Sequence, residues 1–83
     1  MARIIDGKEM NMVGSNIRRI RMERRMSQQT LSDRLEMMAI YICRGSVSRI
    51  EDKSRTVTDI ELYGIAKVLG VDITDLFEPR NDE

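Results

Sequence analysis

Apolar residues recur at helical spacing through most of the chain, beginning with Val13, Ile17 and Ile20. Because residues i, i+4 and i+7 share one face of an α-helix, this pattern predicts a first helix from about Val13 to Arg25, with arginines on its other face. Residues 1–12 have no clear period, and we expect them to form an N-terminal arm.

The next apolar stripe predicts a second helix. Leu31, Leu35 and Met38 fall on one face, and Ser27 stands where an N-cap is expected, since its hydroxyl can accept from an amide of the first turn. The run 39–42 combines β-branched and aromatic residues without a helical stripe, which indicates an extended connector.

A short third helix is predicted from Arg44 to Asp52, with Val47 and Ile50 facing inward. The polar, basic stretch 53–57 then forms a loop.

The start of a fourth helix is marked by Thr58 and Glu61, which have the spacing of a capping box. Its apolar stripe consists of Leu62, Ile65, Ala66 and Leu69. Gly70 is placed to end this helix in a left-handed conformation. Gly64 lies inside it and costs about 1 kcal/mol relative to alanine, which close helix packing could offset.

Asp72 is placed to cap a short fifth helix, and Pro79 discourages its continuation. No strand pattern occurs. The chain is therefore predicted to be all-α, with a five-helix domain at 13–78 between the arm at 1–12 and a tail at 79–83.

Composition narrows the possible chemistry. The chain has 83 residues, no histidine and a single cysteine, Cys43, so zinc fingers and histidine-based catalysis are excluded and an enzyme is not expected. No metal or cofactor is predicted. A lone cysteine cannot form an internal disulfide, which favours a reducing, intracellular setting. No apolar run approaches the roughly 18 residues of a membrane span.

The net charge of zero conceals two oppositely charged regions. Residues 14–55 carry ten basic and five acidic groups, a net charge of +5, whereas residues 56–83 carry a net charge of −5. Eleven of the fourteen basic residues are arginine, the residue suited to phosphate and to guanine edges. The basic region therefore fits nucleic-acid binding, and solvated helix faces are the alternative interpretation.

Four motifs then occur in order, ending with a long C-terminal segment. They are Ile17-Arg18-Arg19-Ile20-Arg21, Met26-Ser27-Gln28-Gln29-Thr30-Leu31-Ser32, Val47-Ser48-Arg49-Ile50-Glu51, and Leu62 through Phe77. Together they resemble the Cro/repressor-type family of bacterial and phage helix-turn-helix regulators, also called the XRE family. The resemblance covers about residues 13–78. It implies a compact lambda-repressor-like domain that binds double-stranded DNA through its second and third helices.

In that family the exposed face of the third helix enters the major groove. A rotation of 100° per residue puts Gly45, Ser48 and Arg49 opposite the buried side, with Arg44 at the flank. Both arginines can donate bidentate bonds to guanine, Ser48 can contact a base or a phosphate, and Gly45 can permit close backbone approach. The alternative is that these residues are merely exposed to solvent.

The resemblance also implies phosphate contacts. Gln28 matches the family's glutamine at the start of the second helix, where free amides favour an anion, although it could be an ordinary first-turn residue. Ser27 can both cap the helix and contact DNA. Lys53 and Arg55 fall in the loop after the third helix, where the family contacts backbone phosphates.

Arg21 and Glu51 match a charged pair with which the family ties the first helix to the third. Two departures from the family pattern affect the same helix. The connector at 36–43 is long and lacks glycine. In addition, Asp52-Lys53 replaces the frequent Asn-Gly after the third helix, so a left-handed backbone at this position would be less favourable.

The sequence also suggests structural roles for one cysteine and two tyrosines. Cys43 fits a small helix cap or a buried hydrophobe better than a redox switch, and Tyr41 and Tyr63 are expected to be half-buried packing residues.

The leading functional hypothesis is a cytoplasmic, bacterial or phage-encoded repressor that binds a palindromic operator as a homodimer. Ile60, Tyr63 and Phe77 are the predicted dimer contacts. Ile60 and Tyr63 lie off the apolar stripe of the fourth helix, and Phe77 directly follows Leu76, so the two cannot point equally into the same small core. Alternatively, Phe77 closes the monomer core. A second hypothesis is a protein-interaction module of the same fold, such as an antitoxin, whose acidic segment 56–83 would bind a second protein.

Overall fold

The computed structural model describes residues 7–77 and contains five α-helices. They are α1 (Gly14–Glu23), α2 (Gln28–Glu36), α3 (Arg44–Glu51), α4 (Asp59–Leu69) and α5 (Ile73–Leu76). No strand occurs in this part of the chain. The all-α, five-helix prediction is therefore confirmed, with helix ends within about two residues of those expected. The tail at 79–83 and the first six residues of the arm lie outside the described residues.

The predicted N-caps form. The Ser27 hydroxyl accepts a hydrogen bond from the backbone amide of Thr30 at 3.0 Å. At the start of α4 the Thr58 hydroxyl accepts from the amide of Glu61, while the Glu61 carboxylate accepts from the amide of Thr58. Asp72 is the N-cap residue of α5. These local signals place the helix starts because each satisfies amides that have no partner within the helix.

Helices α1 to α4 all end in the same backbone motif. In each, an amide just past the helix bonds to the carbonyl five residues earlier, and the preceding residue has a positive φ. The four bonds are Met26 to Arg21, Ile40 to Leu35, Ser54 to Arg49 and Val71 to Ala66. Only α4 uses glycine, at Gly70 with φ 73°, whereas Arg25, Ala39 and Lys53 have φ values of 55°, 63° and 66°. The left-handed position expected at Gly70 is confirmed, and Lys53 adopts it without glycine.

One hydrophobic core lies between the helices and is closed by α5. Its members are Val13, Ile17, Ile20, Met26, Leu31, Leu35, Ile40, Ile42, Val47, Ile50, Ile65, Ala66, Leu69 and Leu76. The core packs α3 against both α1 and α2, so the orientation of α3 is set by two other helices.

The connector between α2 and α3 contributes to this core. A turn at 37–39 leads into an extended stretch in which Ile40 and Ile42 are buried and Tyr41 between them is exposed. The Ser32 hydroxyl donates to the carbonyl of Ile42 at 2.6 Å and holds the stretch against α2. The extended connector is thus confirmed for residues 40–42, whereas Ala39, which was expected to belong to it, lies in the turn with a φ of 63°. The half-buried position expected for Tyr41 is wrong, because alternate residues of an extended strand point in opposite directions.

Met38 is also displaced from its predicted place. It was expected on the apolar stripe of α2, but the helix ends at Glu36 and Met38 is 39% exposed in the following turn. The turn at 37–39 begins before the stripe reaches Met38, and its last residue, Ala39, has a left-handed backbone.

Gly64 lies where the connector crosses α4. A Cβ atom at this position would overlap Cδ1 of Ile40 and would lie 3.1 Å from Cδ2 of Leu35. The missing side chain therefore allows the close packing that offsets its poor helix propensity.

Candidate nucleic-acid interface

The outer face of α3 carries the residues predicted to contact bases. Arg44 and Arg49 are exposed, and Gly45 and Ser48 are partly exposed. A guanidinium nitrogen of Arg49 donates to the Ser46 hydroxyl at 3.0 Å, so this side chain lies along the helix towards its N-terminus. The structure thus brings two arginines and a serine to one face of an eight-residue helix. Such a helix can present bidentate donors to the edge of a base pair.

A buried charged pair anchors the inner side of α3, opposite its exposed face. Nε and Nη2 of Arg21 donate to the two carboxylate oxygens of Glu51 at 2.7 and 3.0 Å. The third donor, Nη1, bonds to the carbonyl of Met26 at 2.6 Å. The side chains of Arg21 and Glu51 are only 10% and 2% exposed. Within residues 7–77 no buried side-chain nitrogen or oxygen lacks a hydrogen-bond partner.

Gln28 joins the same network. Its Nε2 donates to Glu51 Oε1 at 3.0 Å, so Glu51 links α3 to both α1 and α2. The sequence suggested a phosphate contact for this side chain and missed the contact with Glu51. The N-terminal end of α2 nevertheless remains accessible at Ser27, whose hydroxyl also donates to Thr30 Oγ1. The phosphate roles of Ser27 and Gln28 stay predictions.

The two basic residues after α3 have acidic partners. Lys53 Nζ lies 3.4 Å from a carboxylate oxygen of Glu9. The Arg55 guanidinium forms a bidentate salt bridge with the Glu61 carboxylate, in which Nη1 and Nη2 each lie 3.0 Å from a carboxylate oxygen. The hydrogen bond from Arg55 lowers the pKa of the Glu61 carboxyl, and the same contact raises the pKa of Arg55. A phosphate would therefore compete with these carboxylates for both predicted residues.

Arg24 has a structural contact that the sequence did not indicate. The helical pattern places it among the arginines on the outer face of the first helix, but its Nε donates to the carbonyl of Leu69 at 2.8 Å. A cation at the C-terminal carbonyls of a helix is favoured by the helix dipole. No spacing signal relates Arg24 to Leu69, because the two residues are distant in sequence.

Cys43 is exposed at the N-cap of α3. Its Sγ lies 3.5 Å from the Ser46 hydroxyl, and this hydrogen bond lowers the pKa of the thiol. The buried-hydrophobe interpretation is therefore wrong, because the connector ends with Ile42 inward and Cys43 outward.

The predicted dimer contacts lie on α4 and just after α5. Ile60, Tyr63 and Phe77 are all exposed, and Lys67 Nζ lies 5.4 Å from the centre of the Tyr63 ring. Leu76 is fully buried, whereas its neighbour Phe77 is 44% exposed. The closing residue of the core is thus Leu76.

No group of side chains in residues 7–77 has the arrangement of a metal site. Over the same range, no helix combines the length and apolarity needed to cross a membrane.

Comparison with known proteins agrees with the geometry. The profile of the helix-turn-helix family matches residues 17–76. The crystal structure of the DNA-binding domain of BldD has the same fold, with a TM-score of 0.69 and 22% sequence identity over 89% of this chain and 100% of that one. No curated protein sequence matches. Because the profile spans most of the chain, the protein belongs to the XRE-type helix-turn-helix family of DNA-binding, non-enzymatic regulators.

Proposed function

We propose that the protein is a cytoplasmic, bacterial or phage-encoded transcription repressor that reads double-stranded DNA in the major groove with α3. The observation that carries the proposal is the arrangement of that helix. Its inner side is anchored by the Arg21–Glu51 pair, while Arg44 and Arg49 are exposed on its outer side. A helix that is anchored on its inner side and carries exposed arginines on its outer side is suited to sequence readout.

The base contacts follow from the chemistry of this face. Arg44 and Arg49 are assigned to guanine O6 and N7, and Ser48 to either kind of base. At Gly45 an added Cβ would meet only Nη1 of Arg49 within 4 Å, at 3.7 Å, so a larger side chain would project outwards. Glycine therefore leaves room for the backbone to approach the groove at this point.

The phosphate contacts are assigned to the N-terminal end of α2 and to the loop after α3. At Ser27 and Gln28 the helix dipole and unpaired amides attract an anion. Lys53 and Arg55 supply positive charge beside α3 once a phosphate replaces their carboxylate partners. These contacts position the protein without reading sequence.

The proposal includes a homodimer. One small module buries only about 600–1,000 Å² on DNA, and two modules about one helical turn apart supply specificity that one cannot. Ile60, Tyr63 and Phe77 support an interface at α4 and α5, because these large apolar side chains are exposed there.

Selection from a randomised duplex library at physiological salt tests the DNA-binding function. The expected result is an enriched palindrome whose log affinity falls linearly with log salt. Arg49→Ala should reduce affinity for that duplex much more than Arg19→Ala, which removes the same charge from the outer face of α1. If no duplex is enriched and affinity is insensitive to salt, the proposal is wrong.

Sedimentation at micromolar concentration tests the dimer separately. A 9.6 kDa species that stays monomeric on a palindromic duplex would exclude it. A dimer that survives both Tyr63→Ala and Phe77→Ala would place the interface elsewhere.

A further inference from the structure

We infer that Asn11 is a positioning residue for DNA reading, which holds the C-terminal end of α3 against the start of α1. The inference rests on the proposed function. Asn11 lies before the segment that matches the family profile and in the stretch expected to be an arm. It does not itself contact DNA in this scheme but acts through the orientation of the recognition helix.

All the hydrogen-bonding capacity of the Asn11 amide is used at the junction between α1 and α3. Its Oδ1 accepts from the backbone amides of Val13 and Gly14 at 3.1 and 2.8 Å. Its Nδ2 donates to the carbonyls of Ile50 and Arg55 at 3.0 and 2.8 Å. An asparagine has two donor hydrogens and two acceptor lone pairs, so none remains for a phosphate or a base.

The backbones at this junction lie unusually close together. A Cβ atom on Gly14 would overlap the carbonyl oxygen of Ile50 and would lie 3.0 Å from that of Glu51. The amide of Met10 also donates to the carbonyl of Lys53 at 3.0 Å. The segment before α1 therefore follows the last turn of α3 and the loop beyond it.

Asn11 supplies a second attachment, distinct from the buried charged pair. Gly14, which Asn11 caps, and Arg21 are seven residues apart, which corresponds to about 10 Å along α1. On α3 the two attachments involve the adjacent residues Ile50 and Glu51, and they connect this end of the helix to the start and to the last turn of α1. Together with the core packing, they restrict how α3 can rotate against α1. The α3 helix is about 12 Å long, so a tilt of about 10° would move its far end by about 2 Å. Such a shift is enough to break a bidentate contact with guanine.

Two substitutions separate this role from simple capping of α1. Asn11→Asp keeps an acceptor for the Val13 and Gly14 amides and adds a charge that suits a helix N-terminus. It cannot donate, and it places carboxylate oxygen near the carbonyls of Ile50 and Arg55. Asn11→Ala removes both functions. Met12→Ala is the matched control, because Met12 is the exposed neighbour of Asn11.

The measurement is the ratio of affinities for the selected duplex and a scrambled duplex of equal length, at one salt concentration. Because both affinities come from the same preparation, a loss of folded protein cancels in the ratio. We expect both Asn11 variants to lower the ratio by about tenfold, the effect of about one or two net hydrogen bonds. Non-specific affinity and the salt slope should stay within about twofold, since no phosphate contact is lost. Met12→Ala should leave the ratio unchanged.

A ratio for Asn11→Asp equal to that of the unchanged protein would overturn the inference, since capping of α1 would then be the whole role of Asn11. Equal losses on both duplexes would overturn it as well. If the unchanged protein prefers no duplex, the proposed function fails instead, and the two failures are thereby distinguished.

Discussion

Replacing Glu51 with alanine removes one partner of the buried pair at the junction of α1, α2 and α3. The Arg21 guanidinium then loses two of its hydrogen bonds and keeps only the carbonyl of Met26. Gln28 loses its acceptor on Glu51 at the same time. The variant thus leaves a buried positive charge without a counter-charge.

The expected cost follows from the burial of the pair. Removing one partner of a buried salt bridge costs about 3–5 kcal/mol, whereas an exposed pair contributes about 0–1 kcal/mol. With side-chain exposures of 10% and 2%, Arg21 and Glu51 belong to the buried class. A domain of this size has a total stability of about 4–12 kcal/mol, so Glu51→Ala should lose at least about 2 kcal/mol and much of its thermal stability.

Urea unfolding followed by circular dichroism measures this loss, and duplex binding by the folded fraction measures its effect on α3. Glu23→Ala is the control, because Glu23 pairs with Arg19 on the surface, at side-chain exposures of 55% and 49%. Its cost should not exceed about 0.5 kcal/mol. Replacing Arg21 and Glu51 together by apolar residues should recover much of the stability, since no buried charge remains.

A loss below about 0.5 kcal/mol for Glu51→Ala, with normal DNA binding, would refute this reasoning. It would show that solvent or a neighbouring group can satisfy the Arg21 guanidinium in place of Glu51.

Three further outcomes are expected. Arg49→Ala should cost about 1–3 kcal/mol on the selected duplex and relax the preference at one base pair, as measured by anisotropy with base-substituted duplexes; a uniform loss across sequences would indicate a phosphate contact instead. Gly64→Ala should destabilise by about 1–3 kcal/mol despite better helix propensity, because its Cβ overlaps Ile40; an unchanged urea midpoint would contradict this. Arg55 holds the pKa of Glu61 below its ordinary 4.5, so the pair stabilises fully above that pH and its contribution disappears as pH falls through the lowered pKa. Glu61→Gln should therefore reduce the decrease in the free energy of unfolding that occurs as the pH is lowered. An unaltered decrease at acidic pH would exclude this pair as its cause.

The parts of the fold that depend on residues close together in the sequence could be predicted. Ser27 and the Thr58–Glu61 box mark helix starts because a cap and its amide lie within one turn. Gly70 marks a helix end because glycine adopts the left-handed conformation without steric cost. The inward faces of the helices follow from periodicity alone.

The contacts between segments that are distant in the sequence could not be predicted from spacing. Asn11 and Arg24 bond to carbonyls of distant segments, and any backbone carbonyl offers the same acceptor, so no residue type identifies the partner. The Arg21–Glu51 pair was recognised through the family resemblance. The bond from Gln28 to Glu51 could not be predicted either, because the two residues meet only when α2 and α3 are packed together.

The three left-handed helix ends without glycine have a consequence for the evolution and engineering of this domain. Arg25, Ala39 and Lys53 each hold a conformation that costs an L-residue about 1–2 kcal/mol, and Gly70 occupies the same position without that cost. The domain therefore folds despite this conformational cost, and removing the cost by substitution would raise its free energy of unfolding. Glycine or asparagine at Ala39 would remove part of this cost without touching the DNA-reading face. Such a background could tolerate substitutions in α3 that change operator preference but weaken the fold.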